Sequence, residues 1–370
     1  MRTAIVSDLH LGHAHGEDLL RDAAIRRLLL EEVAGADRLV LLGDVLELRE
    51  LPLPSILDAV RPFFEELGEA MAGREVVLVP GNHDHRLAEP LLERNALAER
   101  PLELEQSDEP RGEAPSRLAG WLGAARLRIA YPGVWLRDDA YATHGHYMDC
   151  HWRLPRLECV AAAASIRALG PPPEATRPGD YERLLRPIYA FSFTLAQSGA
   201  GRRAARPTER AWRKLAGRDR AEGALRRAAL RAAVGAGIPA SLWALNRLLR
   251  AEFQADLSPR AIARSGVEAA AELARRLDVD AHHVITGHTH RGGPGEQDSG
   301  WDLPGGGRLH NTGSWVFASA FHRPGTPPSP YWPGTVTWLE DDGPPRRERL
   351  LHGHSRDELR GITRRLASAT

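Results

Sequence analysis

The residues of this chain that could do chemistry fall in five short clusters. They are Asp8-Leu9-His10, Gly43-Asp44, Gly81-Asn82-His83-Asp84, His144-Gly145-His146 and Gly287-His288-Thr289-His290. Carboxylates, imidazoles and a carboxamide oxygen together suit borderline-to-hard divalent ions such as Mn, Fe or Zn, not thiolate-loving ones. In Asp8-x-His10 and His288-x-His290, positions i and i+2 point the same way along an extended segment, so each pair can present two ligands together. The glycines at 43, 81, 145 and 287 permit tight turns and close backbone approach.

Each cluster follows a segment that reads as a strand. Thr3 to Ser7 is a short buried strand, Arg38 to Leu42 a second and Glu75 to Val79 a third. Glu17 to Ala34 has helical spacing of Leu19, Leu20, Ala23, Leu28 and Leu29. Ser55 can cap a helix running to about Ala72, with Pro62 expected to bend or split it. Strands alternating with helices argue for an α/β sheet. Arg100 to Ser116 is acidic and proline-bearing and reads as a loop; strand-like pieces follow at Leu127–Tyr131, Val134–Leu136 and Ala140–Thr143. From Cys150 to Asp280 the texture turns to Ala, Leu and Arg and predicts helices, broken at Gly170-Pro171-Pro172-Pro173 and at Ser198 to Gly201. Strand character returns at His282–Thr286, Arg308–Asn311 and Thr335–Leu339, with loops at Gly292–Gly307 and Pro324–Pro333. The organisation expected is one α/β core from both ends of the chain (1–149 and 281–370), with a helical insertion or cap at 150–280. In open α/β sheets ligands bind beyond the carboxyl ends of strands, so five polar clusters at five such ends can converge on one site.

Taken in order, Asp-x-His, Gly-Asp, Gly-Asn-His-Asp, His-Gly-His and Gly-His-x-His resemble the motif blocks of the calcineurin-like metallophosphoesterases. The resemblance covers about residues 1–150 and 281–340 and leaves the insertion outside. It implies a β-sandwich of two sheets flanked by helices and a site with two divalent metal ions, Mn first and Fe or Zn as alternatives. Asp8, His10 and His290 would hold one ion, Asn82, His144 and His288 the other, and Asp44 would bridge them. A hydroxide between the ions would attack phosphorus. His83 would contact phosphate and protonate the leaving oxygen, with Asp84 orienting His83 or a ligand. His146 is a phosphate contact or a structural residue. His85 and Arg86 either grip an anionic substrate or begin a solvated helix. Asn311-Thr312-Gly313-Ser314-Trp315 resembles the family's closing strand and turn. The opening Ser7-Asp8-Leu9-His10-Leu11-Gly12 resembles the subgroup that includes UDP-2,3-diacylglucosamine pyrophosphatases. The segment His13-Ala14-His15-Gly16-Glu17-Asp18 fails the His-x-His-x-Asp-His block of metallo-β-lactamase-type hydrolases, because Asp18 stands where that block needs histidine.

The rest of the composition narrows the class. The 370 residues carry 49 basic and 49 acidic side chains, 42% hydrophobic residues and two cysteines, Cys150 and Cys159. That is an ordinary soluble composition without a disulfide framework, which suits a reducing cytoplasmic setting, with a place at the membrane periphery left open. The N-terminus enters a strand directly, so no signal peptide is expected, and no uncharged apolar run reaches the roughly 18 residues of a span. Arg183 to Arg231 holds 13 basic against three acidic residues, a local net charge of +10 that hints at an anionic partner. Without a reading motif it is poor evidence for nucleic acid. The function expected is metal-dependent hydrolysis of a phosphomonoester, phosphodiester or pyrophosphate in a small molecule, lipid or nucleotide. The alternative is a metal-binding scaffold with a vestigial site.

Overall fold

The computed structural model describes residues 1–198, 238–295, 298–318, 322 and 329–368. Most of the basic stretch, including Arg202, Arg203 and Arg206, lies outside the described residues.

Among the described residues, ten strands form one strongly curled sheet: β1 (Thr3–Val6), β2 (Arg38–Leu42), β3 (Glu75–Val79), β4 (Glu105–Asp108), β5 (Arg126–Arg137), β6 (Ala140–Thr143), β7 (His283–Thr286), β8 (Arg308–Asn311), β9 (Thr335–Leu339) and β10 (Arg346–Arg349). Their order is β10-β9-β1-β2-β3-β5-β6-β7-β8, with β4 pairing the outer side of β5. The sequence divides β5 into two pieces, but it is one strand of 12 residues. Its first half pairs parallel with β3 and its second half antiparallel with β6, so it belongs to both halves of the curl. Ile5, Val40, Leu42, Val77, Val79, Ala130, Val134, Leu136, Ala142 and Ile285 form the dry layer where the two halves face each other. Strand residues of opposite parity, such as Ala4, Val6, Leu39, Leu41, Val76 and Leu78, pack into a second cluster against helices. Strands covered on both faces read as unbroken apolar runs, which is the texture of Leu39–Leu42 and Val76–Val79.

The first four helices are α1 (Ala23–Val33), α2 (Leu53–Ala70), α3 (Glu89–Leu97) and α4 (Glu113–Leu122); α1, α2 and α4 share one apolar cluster, while α3 places Leu91 and Leu92 in another. Helix α1 starts later than its apolar spacing suggests because Asp22 caps it, accepting from the backbone N–H of Ala24 and Ile25. Helix α2 begins at Leu53 ahead of Ser55 and runs unbroken through Pro62. An internal proline costs about 3 kcal/mol. The same helix buries Ile56, Leu57, Val60, Phe63, Phe64 and Leu67, each worth roughly 1.5–3 kcal/mol, so packing outweighs it. The acidic stretch read as a loop contains β4 and the start of α4. β4 is polar because it is an edge strand, lying on one side of β5 only. Residues 150–280 contribute α5 (Leu157–Leu169), α6 (Pro178–Gln197), α7 (Ile238–Leu249) and α8 (Pro259–Arg276) among the described residues. These helices share one apolar cluster with the sheet, in which Trp152, Cys159, Leu184 and Leu273 join Tyr131, Val284 and Leu309. A last helix, α9 (Arg356–Ser368), buries only Leu359, Ile362 and Thr363. Among the described residues no helix is long and apolar enough to cross a membrane. Both cysteines are free thiols.

Candidate metal centre

The ends of β1, β2, β3, β6 and β7 deliver the five clusters to one place. The first two turns are pinned together, with Asp8 N–H donating to Gly43 O (3.0 Å) and His10 N–H to Asp44 O (2.8 Å). Asp8, His10, Asp44, His288 and His290 all have left-handed backbones, with φ between 44° and 64°. That conformation is uncommon without glycine, and its clustering in one site marks strain held by the surrounding structure. The expected role of the glycines is visible at Gly81, where a Cβ would lie 2.3 Å from Asp44 Oδ1 and 2.6 Å from the His144 ring.

Three groups of side chains converge there: Asp8, His10 and His290; Asp44, His144 and His288; and His10, Asp44 and His83. Asp8 Oδ1 lies 3.2 Å from His290 Nε2, and Asp44 Oδ2 lies 3.2 Å from His144 Nε2 and 3.7 Å from His10 Nε2. His10 Nε2 is 3.3 Å from His290 Nε2. The partner on the far side of each ring fixes which nitrogen faces inward. His10 Nδ1 donates to Glu47 Oε2 (2.9 Å), His144 Nδ1 to Leu42 O (3.0 Å) and His288 Nε2 to Asp149 Oδ1 (2.9 Å). The opposite nitrogens therefore present lone pairs to the centre, the arrangement of ligating histidines.

These residues fit divalent cations. Asp8 Oδ1 is buried without a hydrogen-bond donor. The Asn82 carboxamide oxygen lies 3.3 Å from Asp44 Oδ2 and 3.1 Å from His288 Nδ1, acceptor against acceptor. The opposite rotamer, with its nitrogen donating to both atoms and its oxygen accepting from Arg49 Nη1 at 3.1 Å, satisfies Asn82 when no cation is held. Burial opposes the charge of Asp44, yet His144 and His83 hold its carboxyl well below the usual range. Buried acceptors concentrated this way are costly unless a cation compensates them.

Sequence reasoning missed two carboxylates. Glu47 is buried and receives both His10 Nδ1 and His83 Nδ1, the latter at 2.6 Å. Its trace in the sequence is its place three residues after Asp44, inside the same turn. Asp149, which orients His288, sits one residue before Cys150. It also missed Arg49, whose Nη1 lies 3.2 Å from His83 Nε2 while Nη2 bonds Glu158 Oε1 (3.2 Å) at the start of α5.

The structure sorts the remaining expectations. Of the two partners expected for Asp84, it meets the candidate ligand residue Asp44 and does not reach the His83 ring. Its carboxylate accepts from the backbone N–H of Gly81, Asp44, Val45 and Leu46, at 2.7 to 3.2 Å, so it holds the turn that carries Asp44. Burial and the Asp44 charge push Asp84 up to about 6. His85 cannot grip substrate. It is buried, and its Nε2 meets Glu182 Oε2 of α6 at 3.0 Å, in a network with Tyr131 and Tyr147. His146 faces that same network, with Nε2 3.2 Å from Tyr131 Oη, which favours its structural reading over a phosphate contact. Arg86 is exposed and lies over the Phe193 ring of α6.

Glu47 makes a prediction about pH. Burial alone would lower His83, but Glu47 and Asp44 override it and raise its pKa above the ordinary value. In Glu47→Gln that pKa falls, so His83 loses its proton at lower pH. If His83 acts as an acid, the alkaline limb of kcat moves to lower pH and turnover at neutral pH drops roughly 10–100-fold. A kcat–pH profile of wild type and variant, with metal content measured alongside, checks this. Superimposable profiles would detach Glu47 from the chemistry.

No curated protein matches the chain. The family model described as calcineurin-like phosphoesterase matches residues 1–167, a span that carries Asp8, His10, Asp44, Asn82, His83 and His144 and stops before His288 and His290. Proteins of that family are generally metal-dependent hydrolases, and the match supports for this chain the family that its five motifs resemble.

Proposed function

We propose that this protein hydrolyses a phosphoester with two divalent ions, Mn the first choice. Asp8, His10 and His290 would hold one ion, Asn82, His144 and His288 the other, with Asp44 between them. Bound there, the ions would acidify a water and neutralise phosphate charge. The observation that carries this reading is the set of inward lone pairs on His10, His144 and His288, each fixed by a hydrogen bond on the far side of its ring.

The remaining roles belong to the chain. Glu47 holds His83 by Nδ1 and turns Nε2 toward the cleft, where a proton on that atom can pass to the leaving oxygen. Arg49 sits beside His83 with one arm tied to Glu158; its planar fork suits a non-bridging phosphate oxygen. Segment 150–280 acts as a cap, since it supplies Glu158 behind Arg49 and Glu182 behind His85. Among phosphoesters the site favours no bond type, so UDP-diacylglucosamine-type pyrophosphate chemistry stays within the proposal as one substrate class.

Bis(p-nitrophenyl) phosphate and p-nitrophenyl phosphate, assayed with added Mn, test the reading and separate diesterase from monoesterase. The expected result is turnover of at least one, abolished by EDTA and restored by Mn. No metal-dependent turnover of either, with the ions bound, would favour a binding scaffold.

A further inference from the structure

Glu158, at the start of α5, meets two arginines. Its Oε1 lies 3.2 Å from Arg49 Nη2 and its Oε2 lies 3.6 Å from Arg156 Nε. From this carboxylate the contacts lead back to the candidate metal centre on both sides. Arg49 Nη1 lies 3.2 Å from His83 Nε2 and 3.1 Å from the Asn82 carboxamide. The Arg156 guanidinium stands over the Trp152 ring, 4.9 Å from its centroid, and that ring is 6.3 Å from the His288 ring. The two guanidiniums therefore stand along one rim of the centre, Arg49 on the side of Asn82 and His83, Arg156 on the side of His288. Neither is sealed from solvent, Arg49 being 15% exposed and Arg156 24%.

The charges of this rim do not cancel. Burial opposes ionisation of Glu158, but Arg156 and Arg49 hold its carboxyl well below the usual range, so it is a carboxylate. Among the described residues no other carboxylate lies within ion-pair distance of either guanidinium. Two cations thus share one anion, and one positive charge is left over. Glu158 meets one nitrogen of each arginine, so each planar fork keeps further N–H donors to offer.

Phosphate esters differ in what they can give such a rim. A monoester has three non-bridging oxygens and close to two negative charges at neutral pH. A diester has two such oxygens and one charge. Bound ions draw on the non-bridging oxygens first. A monoester then has a third anionic oxygen left for the guanidiniums, whereas a diester brings an uncharged ester oxygen and a second organic group. Resting on the phosphoesterase reading, we propose that Arg156, joined to Arg49 through Glu158, grips that third oxygen and makes the substrate a phosphomonoester. The ligands of the ions favour no bond type, so the choice falls to this rim. Arginine suits it because its fork can donate two bonds to one phosphoryl group.

Two measurements on the Mn-loaded protein test this. p-Nitrophenyl phosphate and bis(p-nitrophenyl) phosphate share a leaving group, and kcat/KM should favour the monoester at least about tenfold. Methylphosphonate and dimethyl phosphate report binding without turnover. At a pH where the first is a dianion, its calorimetric affinity should exceed that of the second by a similar factor. Arg156→Gln and Arg156→Met remove the charge at similar length. In whichever variant folds, monoester kcat/KM and methylphosphonate affinity should fall about 10–100-fold, the range for a lost hydrogen bond to a charged group, and the diester values by less than about threefold. Turnover of the diester equal to or above that of the monoester overturns the inference and leaves the phosphoesterase reading standing. Equal losses on both esters would make Arg156 a structural residue and overturn it too. A preference for methylphosphonate that depends on Arg156, with no ester turned over, would keep the rim's selectivity and sink the phosphoesterase reading.

Discussion

Asp44→Asn should leave a folded protein that has lost more than about 10³-fold in turnover. The carboxylate of Asp44 is shared: Oδ2 faces His144 Nε2, His10 Nε2 and His83 Nε2 at 3.2, 3.7 and 4.0 Å, while Oδ1 accepts from His83 N–H at 2.8 Å. In the proposed site it serves both ions, so its neutralisation weakens the activation of water and the clamp on phosphate together. Asparagine keeps the size of the side chain and an oxygen for the His83 amide, so the fold is spared. Circular dichroism and thermal unfolding check the fold, and steady-state assays check the loss. A variant with full metal occupancy and more than about a tenth of wild-type turnover would show that Asp44 does not bridge.

His83→Ala is expected to fail differently. His83 is half-buried, with Nδ1 on Glu47 and Nε2 turned to the cleft beside Arg49. Its removal takes no ligand from either proposed ion, so metal content stays at the wild-type level. Turnover should fall roughly 10²–10⁴-fold, the range of a positioned acid–base group. The loss should shrink for nitrophenyl esters, whose leaving group departs without a proton, and be largest for alkyl leaving groups. Equal losses on both would reduce His83 to a phosphate contact.

Much of this was legible because it is local. The candidate ligand residues sit within one to four residues of a strand end, and the alternation of apolar strands with helices places those ends on one rim. Glu47 and Asp149 were not legible. Each is one acidic residue among 49, and its meaning comes from a histidine 37 or 139 residues away. Asp84 was legible as support for a candidate ligand residue, not for His83. Its neighbour in sequence is His83, but its carboxylate turns back to four backbone amides. His85 and His146 read as site residues because they neighbour site residues. Tyr131 and the α6 residue Glu182 draw them into the interior, a contact that the sequence of α6 does not announce. β4 and α9 were hidden by charge, since an edge strand and a helix with few buried residues carry little apolar pattern.

Binding of two ions around Asp44 can be read from anomalous diffraction of crystals grown with Mn. Two peaks per chain are predicted, one among Asp8, His10 and His290 and one among Asn82, His144 and His288, with the Asp44 carboxylate touching both. A single peak, or peaks away from Asp44, would contradict the account.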